Sequence, residues 1–182
     1  FDTPGASGRI ERLDQDSLVL WSFDYSSAER RSHHDIEPLP NGNVLIVAWE
    51  FQSQSDAVAA GRDPAKTNPT EGLWSEVIIE VQPTGPDTGA IVWEWRAWDH
   101  LVQDFDPARA NFGTVADHPE KIDLNHGAEH PQLQVDWLHI TSIDYNEDLD
   151  QILISVPTFN EIWIIDHATT TAEAAGSAGD LL

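Results

Sequence analysis

Residues 34–49, HDIEPLPNGNVLIVAW, and residues 139–156, HITSIDYNEDLDQILISV, follow one grammar. Each starts on a histidine, runs as a strand, and reaches an asparagine seven positions later, Asn41 or Asn146. Each then turns and continues as an apolar strand, VLIVAW or QILISV. The turns, Pro40-Asn41-Gly42-Asn43 and Asn146 to Asp150, use residues suited to tight reversals. A pattern repeated along a chain is the signature of a repeat architecture and outweighs local propensity.

The flanking segments repeat too. GRIERLDQDSLVLWSFDY (8–25) resembles SEVIIEVQPTGPDTGAIVWEWRAW (75–98): a strand, an acidic or glycine turn, and a strand ending in Trp-x-aromatic. EIWIID (161–166) matches SEVIIEV. Strands are therefore expected at Arg9–Leu13, Leu18–Asp24, His34–Pro38, Val44–Trp49, Ser75–Val81, Ala90–Trp95, Leu138–Tyr145, Gln151–Val156 and Glu161–Asp166. Helical periodicity is scarce, with one short helical turn expected near Asp99–Val102.

Antiparallel four-strand units in series define an all-β chain of β-propeller blades, whose innermost strands line a central channel. The expected division is trailing strands of one blade over 1–30, a full blade over 31–95, a long connection over 96–135, and an incomplete blade over 136–182. About 2.5 blades cannot close a ring that needs roughly four to eight. The chain is expected to be a segment of a longer propeller, or to self-associate through its open blade edges.

Composition excludes several functions. Asp and Glu total 32 against 9 Lys and Arg, a formal net charge of −23. That excludes nucleic acid and anionic membrane surfaces as partners, because both need clustered cations. A surface this acidic suits a high-salt, halophile-like setting. No cysteine is present, so neither disulfides nor thiolate chemistry arise. The first residues, FDTPGASGRI, show no signal-peptide pattern. No apolar run reaches the roughly 18 residues a bilayer span requires.

His34 and His139, at equivalent positions of the repeat, are expected to face the channel; the competing reading makes them structural caps of two strand starts. Asp144-x-Asn146-x-Asp148-x-Asp150 has calcium-loop spacing, but lacks the glycine and closing glutamate of such loops. It reads as an acidic hairpin turn. His118, His126 and His130, with Asp117, Asp123 and Glu129, make the long connection a metal loop, a lid over the channel or a solvated segment. No metal is expected. Trp93, Trp95 and Trp98 read as packing between blades. Ser142 and Ser155 have no recognisable base partner, and no phosphate-binding glycine loop occurs.

HHDIEPLPNGNVLIVAWE, GAIVWEWRAWDHLVQDFDP, HPEKIDLN and DWLHITSIDYNEDLDQILISVPTFNEIWIIDHATTTAEAAG together resemble the bacterial and archaeal arylsulfotransferase family, from about Gly8 to Leu182. The resemblance implies a six-bladed propeller that moves a sulfuryl group from a phenolic sulfate ester to a phenol. It implies no cofactor, transient carriage of the group on a channel histidine, and a periplasmic or extracellular location. It makes His34 and His139 the supporting catalytic histidines, with His33, Asp35 and Thr141 as substrate-binding neighbours. Two positions depart from the family pattern. Thr141 stands where the family has asparagine, and Pro157 stands where it has a sulfate-binding arginine. The covalent histidine would fall in a later blade, beyond Leu182, so this segment alone is expected to be inactive. The alternative is a non-catalytic propeller that serves as a binding or interaction module.

Overall fold

The computed structural model of the chain describes residues 5–176. Three antiparallel sheets stack face to face. The first pairs β1 (Arg9–Leu13) with β2 (Val19–Asp24). The second contains β3 (Arg30–Pro38), β4 (Val44–Gln52), β5 (Leu73–Gly85) and β6 (Thr88–Arg96), in that order. A two-residue pair follows in the long connection, β7 (Leu101–Val102) parallel to β8 (Ile122–Asp123). The third sheet holds β9 (Ser142–Asn146), β10 (Gln151–Val156) and β11 (Glu161–Asp166), each antiparallel to the next. The architecture is all-β and blade-like.

The apolar run of β4 follows from its place in this stack. Leu45 and Val47 pack towards the third sheet, against Ile143, Ile152 and Ile154. Val44, Ile46 and Ala48 pack towards the first sheet, against Ile10 and Trp21. A strand covered on both faces needs apolar side chains at every position rather than at alternate ones. Burying one such aliphatic side chain stabilises by about 1.5–3 kcal/mol. Trp93 and Trp95 are buried in the core between the second and third sheets, with Trp98 packed against it, so all three serve packing.

The repeat seen in the sequence is present in the turns. Asn41 Oδ1 accepts the Asn43 amide, and Asn146 Oδ1 accepts the Leu149 amide, so each asparagine fixes its turn. Beyond shifts of strand ends, such as β3 starting at Arg30 rather than at His34, three features differ from expectation. The strand expected at Leu138–Tyr145 enters its ladder only at Ser142, because His139 (φ 54°) lies in the left-handed region. A helix, α1 (Gln54–Ala60), lies between β4 and β5, capped by Ser53 at its start and by Gly61 (φ 110°) at its end. At seven residues it carries too little periodicity to be recognised from sequence. The helical turn expected near Asp99–Val102 spans Ala97–Asp99 instead, and Leu101–Val102 is extended.

The long connection packs against the body of the protein. Arg62, just past α1, is buried and donates to the carbonyls of Leu124 and Leu133. Burial pushes its guanidinium down to about 10. Asn125 accepts the Asp63 amide and donates to the Gly61 carbonyl, pinning the same segment.

A second polar clasp joins the sheets at the turn end of the stack. His167, following β11, meets Glu80 of β5 through Nε2 at 3.1 Å and Asp150 through Nδ1 at 2.7 Å. Asn41 and Asn43 donate to the other Glu80 oxygen, and Tyr145 donates to Asp150. With its final aspartate held this way, the acidic turn is a structural hairpin. His167→Leu should lower the unfolding free energy by about 2–4 kcal/mol, since it strands a buried carboxylate. Urea denaturation measures this; adding Glu80→Gln should restore part of the loss, and full stability in the single variant would contradict the clasp.

Candidate active site

The functional geometry starts from a break in β3. Its ladder with β4 is regular to Ser32 and resumes at Ile36, so His33, His34 and Asp35 bulge out of register. His34 has φ 51°, as unusual for a histidine as the φ of His139. Left-handed backbone costs an L-residue about 1–2 kcal/mol. Both equivalent histidines adopt it, and it turns both rings out of their strands. The His34 amide donates to the Gly5 carbonyl at 3.0 Å. Gly5 itself (φ 86°) must be glycine, because a Cβ there would sit 2.4 Å from the His34 ring.

The two rings meet edge to face, with centroids 4.6 Å apart. Behind them lies a buried polar assembly. His33 stacks on Trp49 at 3.6 Å, its Nε2 lies 2.7 Å from Glu76 Oε2, and its Nδ1 lies 2.8 Å from His34 Nδ1. The other Glu76 oxygen accepts Trp49 Nε1 at 3.1 Å and the Ile140 amide at 2.9 Å. A single carboxylate on β5 thus holds both histidine-bearing segments. On the other side, His139 Nδ1 is bonded to Asp136, whose own position follows from the Trp74 amide donating to the Val135 carbonyl.

These surroundings poise the two imidazoles in opposite directions. His34 is pushed below the ordinary imidazole range, first by burial and then by the neighbouring His33 and His139. His139 is raised above it, chiefly by its hydrogen bond to Asp136. The pair is therefore poised oppositely, with His34 favouring its neutral form and His139 its charged form. A cleft of about 250 Å³, lined by Ser7, Arg9, Ser32 and Asp35 among others, opens beside His34.

A family model described as Arylsulfotransferase (ASST) matches residues 7–173. The chain belongs to the arylsulfotransferase family. No curated protein and no solved structure matched it.

Within this arylsulfotransferase chain the expected site residues occupy different positions. His34 and His139 come together. The His33 side chain is closed off from solvent between Trp49, Glu76 and His34. Asp35 accepts the Ile36 amide at one oxygen and the Ile143 amide at the other, stitching β3 to β9. Thr141 is half-buried, and its amide donates to the Ser155 carbonyl. Pro157 is exposed in the turn between β10 and β11.

Of the loop histidines, His118 bonds Glu120, His130 lies beside Glu129, and His126 bonds the Thr158 carbonyl while stacking on Phe159. His118 and His126 line a separate groove of about 580 Å³ that shares no residue with the His34 cleft. Among the described residues, no cluster of three or more His, Asp or Glu side chains could hold a metal ion.

Glu76, Trp49 and Asp136 are the site residues that sequence reasoning missed. The available signal was Glu76 and Glu80, two acids on one face of an otherwise apolar strand. Asp136→Asn should return the His139 pKa towards about 6.5, the value of an unperturbed imidazole. It should also abolish a pH-dependent increment of stability. That increment is complete below the unfolded-state pKa and is lost as pH rises through the raised folded-state pKa. Titration of the His139 ring by NMR measures the shift; an unchanged midpoint would contradict the assigned cause.

Proposed function

We propose that the facing His34 and His139 rings, with the cleft beside His34, are this chain's contribution to a nucleotide-independent aryl-sulfate sulfotransferase site. The observation that carries the reading is the pair of facing, oppositely poised imidazoles at equivalent positions of two blades. Sulfuryl transfer breaks an aryl ester S–O bond and needs a proton for the departing phenolate. The acceptor phenol must in turn lose a proton before its oxygen attacks sulfur. Imidazolium His139 is the donor for the first step, and its charge also supports the sulfate oxygens. Neutral His34 is the acceptor for the second. Passage of the proton from His34 to His139 resets the pair.

By family resemblance, the sulfuryl group is carried on a histidine of a later blade in a six-bladed ring. Thr141 is assigned to hydrogen-bonding of the sulfate where relatives have asparagine. Asp35 holds the bulge, and His33 acts from behind His34. Exposed apolar residues at the far face of the third sheet, Leu153, Ile162 and Ile164, support covering by a further blade. Among the described residues no helix is long and apolar enough to cross a membrane. A periplasmic or extracellular location is proposed from the family.

Pro157 favours a second reading, a propeller that binds its ligand without reacting, because it supplies no charged donors where relatives have arginine. Transfer from 4-nitrophenyl sulfate to phenol, assayed on the longest chain carrying this sequence, separates the two. The sulfotransferase reading expects turnover that falls about 10²–10⁴-fold in His34→Ala or His139→Ala. It also expects a rate plateau spanning about pH 6.5, where His34 is neutral and His139 charged. Asp136→Asn should pull in the alkaline limb. A folded, silent protein would support the binding reading.

A further inference from the structure

The side chains of Glu76 and His33 are closed off from solvent, yet they form an unbroken line of hydrogen bonds to His34. Glu76 Oε2 to His33 Nε2 is 2.7 Å, and His33 Nδ1 to His34 Nδ1 is 2.8 Å. We infer that Glu76 and His33 are positioning residues that fix the tautomer of His34, placing its proton on Nδ1 and leaving Nε2 as the lone-pair nitrogen.

A carboxylate only accepts, so the His33 nitrogen facing Glu76 carries a proton. In a neutral ring the other His33 nitrogen is then an acceptor, and the His34 Nδ1 facing it must donate. That leaves the proton of neutral His34 on Nδ1, the less favoured tautomer of a free histidine. Among the described residues His34 Nε2 has no hydrogen-bond partner, and the His34 residue is exposed. The line cannot slip, because the second Glu76 oxygen is held by Trp49 Nε1 and the Ile140 amide, and the His33 ring is clamped on Trp49. The remaining charged and titratable neighbours of His34 are His139, Asp136 and Asp35.

The catalytic use of this tautomer rests on the sulfotransferase reading. There Nε2 takes the hydroxyl proton of the acceptor phenol as the phenolic oxygen bonds to sulfur. The resulting imidazolium is then bonded through His33 to the Glu76 carboxylate. A bare carboxylate near the substrate would repel the sulfate, whereas a buried one acting through His33 does not meet it.

Glu76→Gln is the discriminating variant. Its amide oxygen must occupy the site that accepts Trp49 Nε1 and the Ile140 amide, which turns its NH2 towards His33 Nε2. His33 then becomes the acceptor at Nε2 and the donor at Nδ1. His34 in turn is forced to carry its proton on Nε2, and that nitrogen changes from acceptor to donor.

Long-range 1H–15N correlation spectra of the histidine rings, recorded on the protein at about pH 8 where an ordinary imidazole is neutral, read the tautomers directly. The wild-type protein is expected to show His34 protonated on Nδ1, and Glu76→Gln to show it protonated on Nε2. His34 protonated on Nε2 in the wild-type protein, or an unchanged tautomer in folded Glu76→Gln, would overturn the inference. The wild-type spectrum decides even if the variant does not fold. In the sulfuryl-transfer assay, Glu76→Gln should lower kcat about 10²-fold, the lower end of what proton transfer contributes, with KM little changed. An inverted tautomer with undiminished turnover would overturn the catalytic use. Absence of transfer by the folded, unsubstituted longest chain carrying this sequence would overturn the sulfotransferase reading and leave the tautomer result standing.

Discussion

A carboxylate on the central sheet, that of Glu76, is the constraint on which the rest of the site depends. Desolvating a carboxylate costs several kcal/mol, about what good geometry and full hydrogen bonding must offset. Glu76 meets that requirement with the Trp49 indole, the His33 ring and the Ile140 amide. Those donors come from β4, from the bulge of β3 and from the segment leading into β9. Moving any one of them would cost the buried carboxylate a hydrogen bond, so it ties together the two blades where their histidines meet.

The same strand repeats the device two side-chain periods further along. Glu80 lies four residues after Glu76, on the same face of β5, and its partners again include a histidine, here His167 just past β11. Between the two acids, Ile78 belongs to the shared hydrophobic core. The sheets are therefore held by apolar burial in the middle and by buried carboxylates at either side. Burial supplies the bulk of the stabilisation, because it scales with area. The carboxylates add register, since their hydrogen bonds are directional.

Much of this fold was legible in the sequence because turns and apolar runs are local. β1, β10 and β11 begin and end where the alternation and turn residues indicate, and Asn41 and Asn146 mark equivalent turns. The pairing of His34 with His139 was legible for the same reason: a shared register in two repeats places two side chains at one level. Glu76 was not legible, because an acid in an apolar strand has the same local pattern whether it faces solvent or a buried histidine. Only partners far away in sequence decide that. His33 was obscured by its neighbour, since adjacent residues in an extended strand point to opposite faces and the bulge that brings both rings to one side leaves no sequence mark. The left-handed backbone of His139, which delays β9, is hidden likewise.

What converts a structural bulge into a site is the difference in environment between two chemically identical rings. His139 has a carboxylate at its Nδ1, and His34 has another histidine there. Each of these bonds is local to its own segment, and it is the facing of the two rings that depends on the blades staying docked through Glu76. Native-state hydrogen exchange at the Ile140 amide tests that dependence most directly. If Glu76 holds the blades together, Ile140 should exchange only through global unfolding, with the same protection as the Ile46 and Ile79 amides of the central sheet. Exchange of Ile140 at the rate of an exposed loop amide, with Ile46 and Ile79 still protected, would contradict the account.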